Sequence, residues 1–401
     1  MPKPTAKTDS IASLSSPEIA SFRLRRHHLR DDIPADAVTI CRDICGVQAQ
    51  VMSAAYLQLW TRNHAISRAE IENALWKSRT LVKTSLMRQT IHLVPADEFS
   101  LYIAALRNSR VAGALRIMAK FAISSEEADA LTALIMNALS SGPLSRAAII
   151  AAVRPRVSKR VRAWMEKVWS IVRIPVAEGL ICYGPGEGNQ VKFIRVDHWL
   201  PKLGLPKLKP FSEIKAQSEL FRKYLRAYGP ATANDFAHWA GIPMKDSRQA
   251  CEHLKDKNED KNKNKNKDEV VQVAAEGTTC MMLRDDLRSL SGPPPDRGSV
   301  KLLPIFDPFL LAHAEKDHLV EPLHYKRVYR NQGWISPVIL LDGRIAGTWS
   351  YKFQGKKIIV EIVPFEKLLR PIHKQIEDEV ASLAAFFNKE IELRSLNALP
   401  S

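Results

Sequence analysis

Cysteine is scarce and badly spaced in this chain. Its 401 residues hold five cysteines, at 41, 45, 182, 251 and 280. The number is odd and no C-x-x-C occurs, which argues against a disulfide framework, common zinc sites and iron–sulfur ligation. Cys41 and Cys45 lie four apart and so share a helix face, where small buried hydrophobes are a simpler reading than a metal pair. Long apolar runs are missing too: none approaches the ~18 residues of a membrane span. The first twenty residues are polar and Pro/Ser-rich, without a signal-peptide core. A cytoplasmic, nucleoid-associated protein with no membrane partner is expected. Negative charge is in deficit, with 43 Asp and Glu against 59 Lys and Arg, a formal net charge of +16. The basic residues cluster, and a clustered excess points to a polyanion, with nucleic acid as first candidate and an anionic membrane as second.

Apolar residues, by contrast, make up an ordinary 45%. They are enough to build two to four modules or one composite body of similar size. Three segments repeat one pattern. Ile66-Ser67-Arg68-Ala69-Glu70-Ile71 runs on to Leu75, Leu144-Ser145-Arg146-Ala147-Ala148-Ile149 to Val153, and Ala231-Thr232-Ala233-Asn234-Asp235-Phe236 to Ala240. Each opens on a Ser or Thr able to cap a helix. Ser67/Glu70 and Thr232/Asp235 have the spacing of a reciprocal cap. The caps lie 78 and 87 residues apart, room for a module each.

After Ser145 come Arg154, Arg156, Lys159, Arg160 and Arg162, then a helical run over 163–177. Next follow a strand at Leu180-Ile181-Cys182-Tyr183, a turn over 184–189 and a returning strand over 191–196. Helix, helix, hairpin is the winged-helix order, in which the second helix lies on DNA. The first module repeats it with a strand over 88–94, stopped by Pro95. The third has its hairpin from Val270, after a Lys/Asn-rich insert over 255–268 that reads as a disordered loop. The C-terminal part carries strand-like runs over 300–311 and 335–363, turns at Asp342-Gly343 and Gln354-Gly355, and a closing amphipathic helix over 371–388.

No G-x-S-x-G, Walker A, G-x-G-x-x-G or H-E-x-x-H is present. The helix-hairpin-helix glycosylase loop with its later Asp is not evident either. What remains is Gly46-Val47-Gln48-Ala49-Gln50. Gly46 ends a helical stretch from Ala37, and a new helix starts in the apolar run 54–60. Between them the chain is extended or turning, so Gln48 and Gln50 would point to one side and their carboxamides could hold one water. From the pair alone, glutamines that cap helix ends or bond backbone are the simpler reading.

Several blocks resemble a known family: Gly46-Val47-Gln48-Ala49-Gln50, Leu86-Met87-Arg88-Gln89-Thr90-Ile91-His92-Leu93-Val94 and Tyr224-Leu225-Arg226-Ala227-Tyr228-Gly229-Pro230-Ala231-Thr232. Two more are Leu303-Pro304-Ile305-Phe306-Asp307-Pro308-Phe309-Leu310-Leu311 and Leu341-Asp342-Gly343-Arg344-Ile345-Ala346-Gly347-Thr348-Trp349. As a set they are similar to the AlkZ-like family, the bacterial winged-helix DNA glycosylases that unhook interstrand crosslinks. The likeness reaches from about residue 20 to 390. Departures are Gln89, where a glycine is expected after Arg88, and the Lys/Asn insert. The resemblance implies tandem winged helices around a DNA channel, a β-hairpin that probes the duplex, and Gln48 and Gln50 as the catalytic glutamines.

The expected fold is therefore α+β, mainly α. A flexible N-terminus (1–19) precedes three winged-helix modules (20–122, 123–210 and 211–299), and a β-rich region with its helix covers 300–394. The expected activity is that of a monofunctional glycosylase for N3- or N7-alkylated purines, interstrand crosslinks included, in double-stranded DNA. Gln48 and Gln50 are its catalytic residues. Arg88, His92, Arg154, Arg156, Lys159, Arg160, Arg162 and Arg344 are expected to contact DNA. No cofactor or metal is required, and a monomer is expected. The alternatives are a non-catalytic winged-helix regulator or architectural DNA binder, and an RNA-binding module, which the paucity of aromatic strand motifs disfavours.

Overall fold

The computed structural model describes residues 11–30, 34–168, 171–186, 190–201, 212–256, 269–290 and 298–395. Its architecture is α+β. The chain opens with β1 (Ala12–Leu14) and α1 (Ser16–Arg26), followed by α2 (Ala37–Asp43), whose first turn is capped by the Asp36 carboxylate on Thr39 N–H. Then come β2 (Val47–Gln48), α3 (Met52–Arg62), α4 (Arg68–Trp76), β3 (Leu81–Ser85) and β4 (Ile91–Pro95). The long α5 (Phe99–Ala119) leads to a second set in the same order: α6 (Ser125–Ala138), β5 (Leu144–Ser145), α7 (Arg146–Val153), α8 (Lys159–Lys167), α9 (Arg173–Ala177), β6 (Ile181–Gly184), β7 (Lys192–Arg195) and a short α10 (Val196–Trp199).

The two sets share one sheet of order β2-β4-β3-β6-β7-β5, closed in the middle by the pairing of Lys83 with Tyr183. A third set follows: α11 (Glu213–Tyr228), α12 (Ala233–Ala240), α13 (Met244–Asp256), then the hairpin β8 (Val270–Ala275) and β9 (Thr278–Leu283), and α14 (Arg284–Ser289). The last part holds β10 (Val300–Leu303), α15 (Pro308–Leu311), α16 (Tyr325–Val328), β11 (Val338–Leu341), β12 (Arg344–Gln354), β13 (Lys357–Pro364), α17 (Arg370–Phe387) and β14 (Glu390–Ser395). Its strands form a five-stranded sheet in chain order.

The three repeated helix starts are where the caps put them. Ser67 Oγ accepts from Glu70 N–H, Ser145 Oγ from Ala148 N–H, and Thr232 and Asp235 cap each other. The turn at Asp342-Gly343 and the closing helix also stand, while the turn expected at Gln354-Gly355 lies one residue later, at 355–356, because Gln354 still belongs to β12.

Other expectations need correction. The run 163–177 is not one helix: α8 stops at Lys167, Val168 is extended (φ −104°, ψ 136°), and α9 begins at Arg173. Pro175 lacks an N–H, and its ring would clash with the Ile171 carbonyl in a continuous helix, so it is accommodated in the first turn of the separate α9. The carbonyls left at the break, Met165 O and Val168 O, accept from Arg146 Nη2. In the first set the strand begins at Ile91 instead of Arg88, because Arg88 and Gln89 are both left-handed. Residues 308–311 are helical, with Pro308 at the first turn and Asp307 capping Phe309 N–H. Residues 12–19 are not a loose tail: β1 lies parallel to β8, pairing Ala12 with Val273. Most of the Lys/Asn insert lies outside the described residues; residues 255 and 256 end α13.

One face of the shared sheet packs on α5 and α11. Val82 and Val94 from the sheet, Phe99, Tyr102 and Leu106 from α5, and Leu220, Tyr224 and Tyr228 from α11 form a single buried cluster. All five cysteines are buried thiols, and burial pushes Cys41, Cys45, Cys182 and Cys251 up to about 12. No helix among the described residues is long and apolar enough to cross a membrane.

Candidate active site

Gly46 sets the geometry of the glutamine pair. Its φ of +95° is open to glycine, and a Cβ there would lie 2.8 Å from Val94 Cγ1 and 2.9 Å from Leu93 O. The chain therefore leaves α2 against β4 and runs straight into β2. Gln48 faces His92, and His92 faces Thr84 on the next strand. Directly opposed residues in an antiparallel sheet share a face, so Gln48, His92 and Thr84 form a row three strands wide. By the period of two, this is the face of Val82 and Val94, turned toward α5 and α11.

Every member of the row is buried, and two of its side-chain oxygens, Gln48 Oε1 and Thr84 Oγ1, have no hydrogen-bond partner in the protein. Such atoms are costly unless something occupies them. His92 is neutral: burial, then the Arg88 and Arg110 charges, push it down to about 3. Its Nδ1 lies 2.9 Å from Thr90 O. A carbonyl only accepts, so the proton sits on Nδ1 and Nε2 keeps its lone pair.

Gln50 is exposed, and its Oε1 accepts from Ile91 N–H at 3.3 Å, which orients the carboxamide and leaves its NH₂ group as donor. Ala49 N–H between them bonds Ile91 O at 2.7 Å. The segment is thus extended from Val47 through Ala49, as the Gly46 break suggested. One glutamine is buried and the other exposed.

Side chains outside the expected set hold this place. Gln58 of α3, wholly buried, donates from Nε2 to Gln48 O at 3.1 Å and to Ile305 O at 3.3 Å. Tyr228 donates to Ile44 O at 2.7 Å, tying α11 to the end of α2. Arg110 of α5 is buried, with Nε and Nη1 unpartnered, and burial lowers it to about 10. The signals for these were weak: Gln58 is the polar residue inside the apolar run 54–60, and Arg110 an arginine on a largely buried helix.

The expected DNA contacts divide. Arg88 is half-buried and donates from Nη1 to Trp239 O at 2.6 Å, and Gly241 lets α12 approach it: a Cβ there would lie 2.8 Å from Arg88 N. Arg88 therefore joins the first and third sets. His92 is inside the sheet and offers no surface, which corrects its assignment as a DNA contact. Arg154, Arg156, Lys159 and Arg160 are exposed around the start of α8, and Arg162 is half-buried. Arg154 meets Glu166 at 3.1 Å and Arg160 meets Glu127 at 3.4 Å. Arg344 is exposed, but its turn is no free tip: Gly343 is buried against Ala20 of α1, and Asp342 accepts from Gly298 N–H and Ser299 N–H. In the same sheet the hairpin of β12 and β13 has an open tip, residues 352–357 being exposed.

Comparison with known proteins identifies the family of the chain. The family model described as DNA glycosylase AlkZ-like matches residues 41–386. The interstrand DNA cross-link repair glycosylase of Streptomyces sahachiroi is 29% identical over 374 residues, 92% of this chain and 95% of that protein. The solved structure of the Streptomyces sahachiroi DNA glycosylase AlkZ superposes with a TM-score of 0.80 at 25% identity, over 96% of this chain and 100% of the other. The chain belongs to the AlkZ-like DNA glycosylase family.

Proposed function

We propose that Gln48 and Gln50 position the hydrolytic water and steady the sugar as this DNA glycosylase breaks an N-glycosyl bond. The observation that carries the reading is Gln48 Oε1, a buried acceptor with no protein partner, two residues before an exposed and oriented carboxamide. The proposed substrate is a purine alkylated at N3 or N7 in duplex DNA, crosslinked purines included. The base is then cationic, and it takes the bond electrons and leaves neutral without a strong general acid. The sugar becomes oxocarbenium-like, water oxygen attacks its C1′, and the protonated hydroxyl so formed releases its extra proton to solvent. Placing that water and stabilising the charge with fixed dipoles is work that neutral carboxamides can do. An unmodified base needs more acid catalysis, so the same chemistry favours damaged bases.

The element order supports reading all three sets as winged helices, with α8 and the exposed basic residues beside it on the DNA backbone. We take the protein to act as a monomer, on nucleoid DNA and without a cofactor. Single-turnover excision from an N7-alkylguanine duplex, run beside a binding titration, tests the assignment. Gln48→Ala and Gln50→Ala should each lower excision about 10²–10³-fold with little change in affinity. Wild-type rates in both variants would place the active site elsewhere.

A further inference from the structure

The block Leu303-Pro304-Ile305-Phe306-Asp307 is not explained by the glutamine pair, yet it is fixed to it. Phe306 is left-handed (φ +59°), a conformation a bulky residue holds only when its neighbours impose it. They do so here on both sides. Ile305 O accepts from Gln58, the side chain that also holds Gln48 O, and Asp307 pairs with Arg62 at the end of the same α3. The ring that Phe306 thereby presents packs on Trp334, with centroids 5.4 Å apart and planes 39° apart.

Trp334 belongs to a tight projection. Tyr329 and Ile335 form an antiparallel bridge, Arg330 N–H bonds Trp334 O, and Gln332 and Gly333 turn the chain with φ of +59° and +77°. Residues 330–334 are all exposed, and Trp334 leaves half of its surface in water. At the root of the projection, Lys316 Nζ lies 5.6 Å from the Tyr329 ring centroid, and the Arg88 charge acts on both Lys316 and His92. One chain of contact thus joins the projection to Gln48, through Phe306, Ile305 and Gln58.

We propose that Trp334 is a stacking residue for the DNA substrate: its indole takes a nucleobase at the opened lesion site, while Arg330 beside it meets phosphate. A large, rigid ring with two torsions loses little entropy when a base stacks on it, and an apolar wedge at a base step holds the duplex open. The left-handed Phe306 gives the indole a fixed backing. This inference rests on Gln48 and Gln50 marking the reacting site.

The test compares Trp334→Ala, Trp334→Phe and wild type for binding to an N7-alkylguanine duplex, and for the fluorescence of a 2-aminopurine placed opposite the lesion. Neither readout needs turnover, so failure of the glutamine assignment leaves them intact. Loss of one stacked base should weaken binding of Trp334→Ala about ten- to a hundredfold and diminish the unstacking signal. Trp334→Phe should recover most of both, and thermal unfolding should stay where it is because the indole is half exposed. Trp334→Ala with wild-type affinity and a wild-type 2-aminopurine signal would overturn the proposal. So would binding lost only in step with thermal stability.

Discussion

Arg62 and Asp307 meet through two parallel hydrogen bonds, Nη1 to Oδ2 at 2.8 Å and Nη2 to Oδ1 at 2.9 Å, with both side chains wholly out of solvent. The pair joins α3, which starts just after Gln50, to the loop after β10. Asp307 also caps α15 through Phe309 N–H, and Arg62 Nη1 bonds Gln58 O. Removing one partner leaves a buried charge uncompensated. Asp307→Ala should therefore cost about 3–5 kcal/mol in urea unfolding. Replacing both ends with apolar residues of similar size (Arg62→Met with Asp307→Leu) should cost far less. A loss below about 1 kcal/mol for Asp307→Ala would show that solvent reaches the pair.

The glutamine pair makes a sharper kinetic prediction than its single variants. If both carboxamides act on one water, the double Ala variant should lose less than the product of the singles. Gln50→Asp should keep partial activity, because a carboxylate still accepts from water and attracts positive charge. Gln50→Leu should not. Singles whose losses multiply in the double variant would mean two separate roles.

How much of this was legible follows from how local each cause is. The caps Ser67, Ser145 and Thr232 act within four residues, so the helix starts could be read directly. The Gly46 break and the extended chain after it are equally local, and they mark Gln48 and Gln50 as candidates. The family blocks carried the functional assignment, since two glutamines alone do not distinguish a site from a helix boundary. What stayed hidden was set by distant partners. His92 is neutral because α5 and α11 bury it and α5 brings Arg110 near, in addition to Arg88 from its own β3–β4 connection. The edge strand β1 is ordered by β8, far along the chain. Gln58 links β2 to the loop after β10, a contact no spacing could show.

Gln89 occupies the position where a glycine was expected, and the structure supplies the reason for the expectation: its φ is +60°. A side chain in the left-handed region costs about 1 kcal/mol relative to glycine. Gln89 is exposed and recovers only a surface hydrogen bond from Arg173 Nη1. Gln89→Gly should accordingly raise stability by a few tenths to about 1 kcal/mol, visible as a higher melting temperature. A lower one would mean that the Arg173 bond outweighs the backbone strain.

The basic residues around α8 make an electrostatic prediction. About six phosphate contacts would lower duplex affinity on the order of a thousandfold between 50 and 200 mM salt. Arg156→Ala and Lys159→Ala should each reduce the slope of log affinity against log salt by about 0.9. An unchanged slope in both would move the DNA away from this surface.

The buried histidines predict how stability depends on pH. His27, His92 and His313 are all buried, and burial first, then neighbouring cations, hold each below its ordinary value: His92 at about 3, the other two well down. In the unfolded chain each titrates near 6.5. Between those values the unfolded state binds more protons than the native one, so stability rises with pH. It is fully present above about pH 6.5 and is lost as pH falls toward 3. Between pH 7.5 and 5.5 each histidine should contribute a loss on the order of 1 kcal/mol, and His318, pushed down to about 2 by burial and then the Arg23, Lys316 and Arg344 charges, adds to it. Carboxylates titrate mostly below this window, so the histidines dominate it. His27→Phe, which keeps a ring between Tyr228 and Phe309, should remove about a quarter of the loss. Urea midpoints at the two pH values measure it. Equal stability at pH 7.5 and 5.5 would mean that these histidines take up protons in the native state, and the neutral His92 beside Gln48 would go with them.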